Sequence, residues 1–134
     1  ALQRELFAAY VDQAVDADGP ELREIKDAAK ARGVFVVLGL VERARSRGSV
    51  YCTSAMLPPS SAEPVLHRKL VPTHEERLVW APGDAHGLRC VDYRGLRVGT
   101  LNCWENWMPL ARHTLYADGC SLLVAIWPGS TKLT

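Results

Sequence analysis

The 134 residues predict an α/β domain: a mixed β-sheet with helices outside it. Three observations carry this. Two stretches of helical spacing open the chain. Several β-branched apolar runs follow, two of them joined by a hairpin signal. A further helix and an apolar strand come last. Apolar residues make up 48%, enough to build a core. The length suits one domain or part of one.

Leu2, Leu6, Tyr10 and Ala14 recur every fourth residue, which predicts an amphipathic helix near 2–16. Asp18-Gly19-Pro20 interrupts it. Pro20 suits the first position of a second helix, Leu22, Ile25, Ala28 and Ala29 keep its spacing, and Gly33 suits the residue past its end. Residues 34–41 are continuously apolar and read as a strand buried on both faces. Residues 43–49 form a polar turn, and 50–57 return as a strand that Pro58-Pro59-Ser60-Ser61 ends. Pro64 to Lys69 is a shorter extended stretch. Leu70 to Gly87 has no clean period, and a loop of that length in a compact chain is usually functional. Strands follow near 88–93 and 96–102, joined by Arg94-Gly95 as the turn. A helix near 107–118 has Pro109 in its first turn and Gly119 past its end. A strand near 121–127 comes last. No repeat, low-complexity tract or linker appears, so residues 1–134 are read as a single domain.

Formal net charge is +1, from 16 basic and 15 acidic residues. That balance argues against a nucleic-acid binder and against a surface relying on anionic lipid. No apolar run is long enough to span a bilayer. The cysteines Cys52, Cys90, Cys103 and Cys120 lie far apart, without a C-x-x-C pair, and the four histidines lack ligand spacing. We expect reduced thiols, a cytoplasmic location, no metal and no cofactor. The chain opens on Ala1 without a leader-like segment, as if cut from something longer.

Cys103 follows an apolar strand and precedes a helix. A thiol there is held out at a strand end, and nearby backbone N–H groups favour a thiolate and a developing oxyanion. By position alone the commoner reading is a small buried hydrophobe, as most free cysteines are. Lys69, at the end of an extended stretch, reads as a cation for a developing anion or as an ordinary solvated lysine. Glu75 and Glu76 beside Arg77 read as loop charge. Trp80, Trp104, Trp107 and Trp127 read as pocket lining or core.

Two segments together resemble a known family. His67-Arg68-Lys69-Leu70-Val71-Pro72-Thr73-His74-Glu75-Glu76-Arg77-Leu78-Val79-Trp80 resembles the lysine segment of nitrilases, and Leu101-Asn102-Cys103-Trp104-Glu105-Asn106-Trp107-Met108-Pro109-Leu110 resembles their nucleophile segment. The Gly33-to-Arg43 strand, Tyr51-Cys52-Thr53, Gly83-Asp84 and Leu115-Tyr116-Ala117-Asp118-Gly119 are similar too. The likeness runs from about Phe7 to Trp127. It points to the nitrilase or cyanide-hydrolysing branch of the carbon–nitrogen hydrolases. Ala81-Pro82, Ala85-His86 and Ala125-Ile126-Trp127-Pro128-Gly129 depart from the pattern, which bears on the substrate pocket rather than the chemistry.

The resemblance implies part of an αββα sandwich and a Glu-Lys-Cys triad. Cys103 matches the nucleophile, Lys69 the lysine, and Glu76 a second glutamate that supports the site. The Trp104 N–H and Lys69 would stabilise charge on the substrate. The family's general-base glutamate belongs to an earlier F-P-E-like motif that this sequence lacks, and Glu5, Glu21 and Glu24 stand in the wrong context. Residues 1–134 therefore look like a partial, internal piece of such a domain, inactive alone. The implied reaction turns a small-molecule nitrile into a carboxylic acid and ammonia, and the full-length parent is expected to form homo-oligomers. An amidase-type relative and a catalytically inactive assembly module are the alternatives.

Overall fold

A computed structural model describes residues 2–45, 48–60 and 63–128. Ser46, Arg47, Ser61 and Gly129, parts of motifs named above, lie outside the described residues. The elements run α1 Leu2–Asp12, β1 Val15–Asp16, α2 Pro20–Arg32, β2 Val36–Arg43, β3 Val50–Leu57, β4 Val65–Arg68, β5 Val91–Tyr93, β6 Leu96–Asn102, α3 Pro109–Ala117 and β7 Leu122–Ile126. Short 3-10 turns cover His74–Leu78, Ala85–Gly87 and Cys103–Trp107.

The first helix ends four residues before the spacing predicts. Ala14 is buried, Arg43 Nη2 donates to its carbonyl at 2.6 Å, and Val15–Asp16 pairs in parallel with Glu42–Arg43. A sheet edge with open hydrogen bonds outbids the helical period there. α2 behaves as read: Pro20 opens it, and Gly33 closes it in the left-handed region (φ 63°, ψ 31°). The third helix starts at Pro109, later than expected, because 103–107 form a separate turn. Arg94 and Gly95 both take positive φ, the backbone of a two-residue hairpin, and join β5 to β6.

The strands divide between two mixed sheets, the two inner layers of the αββα sandwich that the resemblance implies. β1-β2-β3-β4 form the first and β5-β6-β7 the second, each with one parallel pair. The loop after β4 explains the split. It folds back along β4 so closely that a Cβ on Gly83 would lie 2.3 Å from the Arg68 carbonyl oxygen, and one on Gly87 2.2 Å from that of Leu66. Only glycine fits at those two positions. The loop covers the free edge of β4, and the next strands start a new sheet.

The sheets pack on each other, β3 against β6 and β2 against β7. Gly39 makes room for Ile126: a Cβ there would meet its Cγ2 at 3.2 Å. α2 covers the outer face of the first sheet through Leu22, Ala55 and Leu57, with Val36, Leu38, Leu40 and Leu66 around them. α3 covers the second through Leu101, Ala111 and Leu115. Described residues thus form an α/β architecture of two mixed sheets with helices outside.

Candidate active site

Strand alternation decides which side chains meet between the sheets. Ala55, Leu57 and Leu66 face α2, so Cys52, Ser54, His67 and Lys69 face inward. Leu101 faces α3, so Thr100 and Asn102 face inward from the second sheet. The same parity puts Glu42 on the outer face. There it accepts from Thr53 Oγ1 at 2.7 Å and from Arg68 Nε at 3.0 Å and Nη2 at 2.5 Å.

Lys69 follows the last residue of β4. Its N–H donates to the Cys52 carbonyl and its carbonyl accepts from Gly83 N–H, each at 2.8 Å. Its side chain is 1% exposed, and Nζ lies 2.5 Å from Glu76 Oε2. A buried lysine needs such a partner. Glu76 is itself held by a capping box, its Oε2 accepting the Thr73 N–H at 2.6 Å.

Cys103 opens the turn after β6 with φ 52°, a conformation that costs a residue with a Cβ about 1–3 kcal/mol. The surroundings hold it there. Asn106 Nδ2 donates to the Cys103 carbonyl at 2.9 Å and to that of Leu101 at 3.2 Å. Glu105 closes a second capping box, accepting the Asn102 N–H at 3.0 Å. Its two oxygens also take His67 Nε2 at 2.8 Å and the Leu70 N–H at 2.8 Å. Burial alone would raise the Glu105 carboxyl, but His67 and these two N–H groups outweigh it and hold it below the ordinary carboxylate value. Glu105 is therefore ionised, and His67 Nε2 is the donor.

Cys52, Lys69, Glu76, Trp80, Asn102, Cys103, Ile126 and Trp127 share one cavity of about 200 Å³, with Pro128 at its wall. Three of the residues singled out from sequence, Cys103, Lys69 and Glu76, are brought together there. Trp104 is not in that wall: its ring is half exposed and meets Trp107 (centroids 4.6 Å) and Trp127 (6.4 Å) edge-on. Glu5, Glu21 and Glu24 do not line it. All four cysteines are unpaired. Burial pushes the Cys52 thiol up to about 11, only partly offset by Lys69. Cys52 thus keeps its proton at neutral pH and is poorly suited to attack. Among the described residues no cluster of three or more His, Cys, Asp or Glu is arranged to hold a metal, and no helix is long and apolar enough to cross a membrane.

The sequence offers His67 only as one of four histidines available as a base, none selected by its context, and it assigns no role to Glu105, Asn106 or Cys52. Two had usable signals. His67 lies two residues before Lys69, hence on the same face of a strand. Asn102-x-x-Glu105 has the spacing of a capping box. Asn106 acts within its own turn, through the Leu101 and Cys103 carbonyls, and Cys52 reaches the site only through tertiary packing.

The carbon–nitrogen hydrolase family matches residues 5–133. A nitrilase of Bradyrhizobium diazoefficiens is 38% identical over 122 residues, covering 91% of this chain and 37% of that protein. A nitrilase of Talaromyces marneffei is 37% identical over 125 residues, covering 92% and 38%. The chain thus spans under two fifths of the length of either relative. Among solved structures, Saccharomyces cerevisiae Nit3, a member of branch 10 of the nitrilase superfamily, superposes with a TM-score of 0.78 at 15% identity, covering 96% of this chain and 47% of that one. At that identity the likeness shows the fold. Matched over nearly its whole length, the chain belongs to the carbon–nitrogen hydrolase family.

Proposed function

We propose that the protein carrying this chain hydrolyses a small nitrile to a carboxylic acid and ammonia. One observation carries the reading. A cysteine fixed at positive φ shares a small cavity with a buried lysine whose charge is already paired to a glutamate, in a chain 37–38% identical to nitrilases. The Cys103 sulfur adds to the nitrile carbon, and its proton passes to a base and on to nitrogen, giving a thioimidate. Lys69, oriented by Glu76, and the Trp104 N–H stabilise charge on the nitrogen. Water adds, the C–N bond breaks, ammonia leaves and a thioester remains. A second water cleaves the C–S bond and releases the acid. The balance is one nitrile and two waters to one acid and one ammonia. The resemblance implies a glutamate as that base, and among the described residues Glu76 is the one carboxylate in the cavity wall. The cavity's mainly apolar wall and small volume favour a compact substrate.

The test compares a nitrile with its amide as substrates of the full-length protein. We expect ammonia from the nitrile, and none when Cys103→Ala is tested. Turnover of the amide alone would make the protein an amidase and overturn the reading.

The parent is also proposed to be a homo-oligomer. Trp107, Leu110 and Tyr116, at and on α3, leave an apolar strip exposed, which supports this. Light scattering that finds only an active monomer contradicts it.

A further inference from the structure

We propose that His67 and Glu105 are positioning residues that set the spacing between Lys69 and Cys103. Glu105 is 1% exposed, and His67 is fully buried. The carboxylate of Glu105 holds three groups: His67 Nε2, the Leu70 N–H and the Asn102 N–H. The first two bracket Lys69 in sequence, and the third immediately precedes Cys103. One side chain thus grips the strand end that presents the lysine and the turn that presents the thiol. Among the described residues no other side-chain hydrogen bond joins segment 65–70 to segment 101–106.

The pair is built for this and for little else. His67 Nδ1 is buried without a partner, so the ring's one hydrogen bond goes to Glu105. Neither residue lines the cavity, so neither touches a substrate lying there. Both act through their neighbours. Loosening the grip lets Lys69 and Cys103 drift apart, and a misplacement of about 1 Å costs on the order of 10²-fold in rate. The same drift parts the sulfur from the ammonium that shares its cavity, and the reactivity of Cys103 toward an electrophile falls with it.

The inference rests on the proposed nitrilase reaction for one of its two tests. In the full-length protein, His67→Gln and His67→Asn separate a positioning bond from simple packing. The glutamine amide nitrogen reaches the place of Nε2, whereas the asparagine amide stops at the place of Nδ1. Both are polar, and both are measured below their melting temperatures. For His67→Asn we expect kcat for a nitrile to fall about 10²-fold, with KM within about threefold. Carbamidomethylation of Cys103 by iodoacetamide should slow at least about tenfold. His67→Gln should recover most of both rates. Folded His67→Asn with wild-type kcat and alkylation overturns the proposal, as does equal loss in both variants. If the wild type hydrolyses no nitrile, the functional reading fails, and alkylation alone decides the positioning role.

Discussion

The turns Thr73–Glu76 and Asn102–Glu105 share one backbone plan. Each begins with a capping residue, continues with a non-glycine residue at positive φ (His74 at 48°, Cys103 at 52°) and ends on a glutamate that accepts the capping residue's N–H. Each glutamate then reaches the segment 67–70. They differ in what they hold and in how wet they are. Glu76, with a side chain 28% exposed, takes the Lys69 ammonium. Glu105, buried, takes His67 and the Leu70 backbone. The lesson is that one local device serves two ends. Where it stays near the cavity it tunes a charge, and where it is sealed off it fixes a distance.

The largest expected effect tests the charge side of this comparison. In the full-length protein Lys69→Ala should lower kcat for a nitrile by at least about 10²–10³-fold, the loss seen when one donor to a developing anion is removed. Glu76→Gln, which keeps the shape but weakens the hold on Lys69, should cost less, and steady-state kinetics ranks the two. An equal or larger loss for Glu76→Gln would give Glu76 a direct part in proton transfer.

A smaller effect tests the distance side, through stability. Glu105→Ala leaves His67 and two N–H groups buried without their acceptor and should cost about 3–5 kcal/mol in chemical denaturation. Glu76→Ala removes a cap and leaves the buried Lys69 ammonium without its carboxylate; because the Glu76 side of the pair is partly wet, the cost should stay at the lower end, about 3 kcal/mol. The pH dependence has a definite sign. The carboxyl of Glu105 is lower in the folded state than in the unfolded chain, so its stabilisation is present above the ordinary carboxylate value of about 4.3 and is lost as pH falls through the lowered folded value. Glu105→Gln should flatten that acid limb, while an unchanged limb would mean that other carboxylates set it.

Much of this was legible in the sequence because period and punctuation are local. Pro20 and Gly33 bound α2, Arg94-Gly95 joins β5 to β6, and the apolar runs became strands. The end of α1 was not legible, since Arg43 and the edge of β2 lie far along the chain. The split into two sheets came from the resemblance and not from the strand periods, since it depends on Gly83 and Gly87 lying flat against β4. At the site, Cys103, Lys69 and Glu76 stood out through resemblance rather than chemistry. Position alone left each with an ordinary alternative. Glu105 and His67 each carried a local signal, the capping-box spacing and the strand face shared with Lys69, but the bond that joins them spans 38 residues and leaves no mark in the sequence.

The central claim is that Cys103, and not the neighbouring Cys52, carries the substrate covalently. The most direct measurement mixes the full-length protein with a nitrile, quenches it during turnover and maps the cysteine peptides by mass spectrometry. The account predicts an acyl or imidate adduct on the Cys103 peptide, absent in Cys103→Ala together with ammonia release. An adduct on the Cys52 peptide, or ammonia release that survives Cys103→Ala, would contradict it.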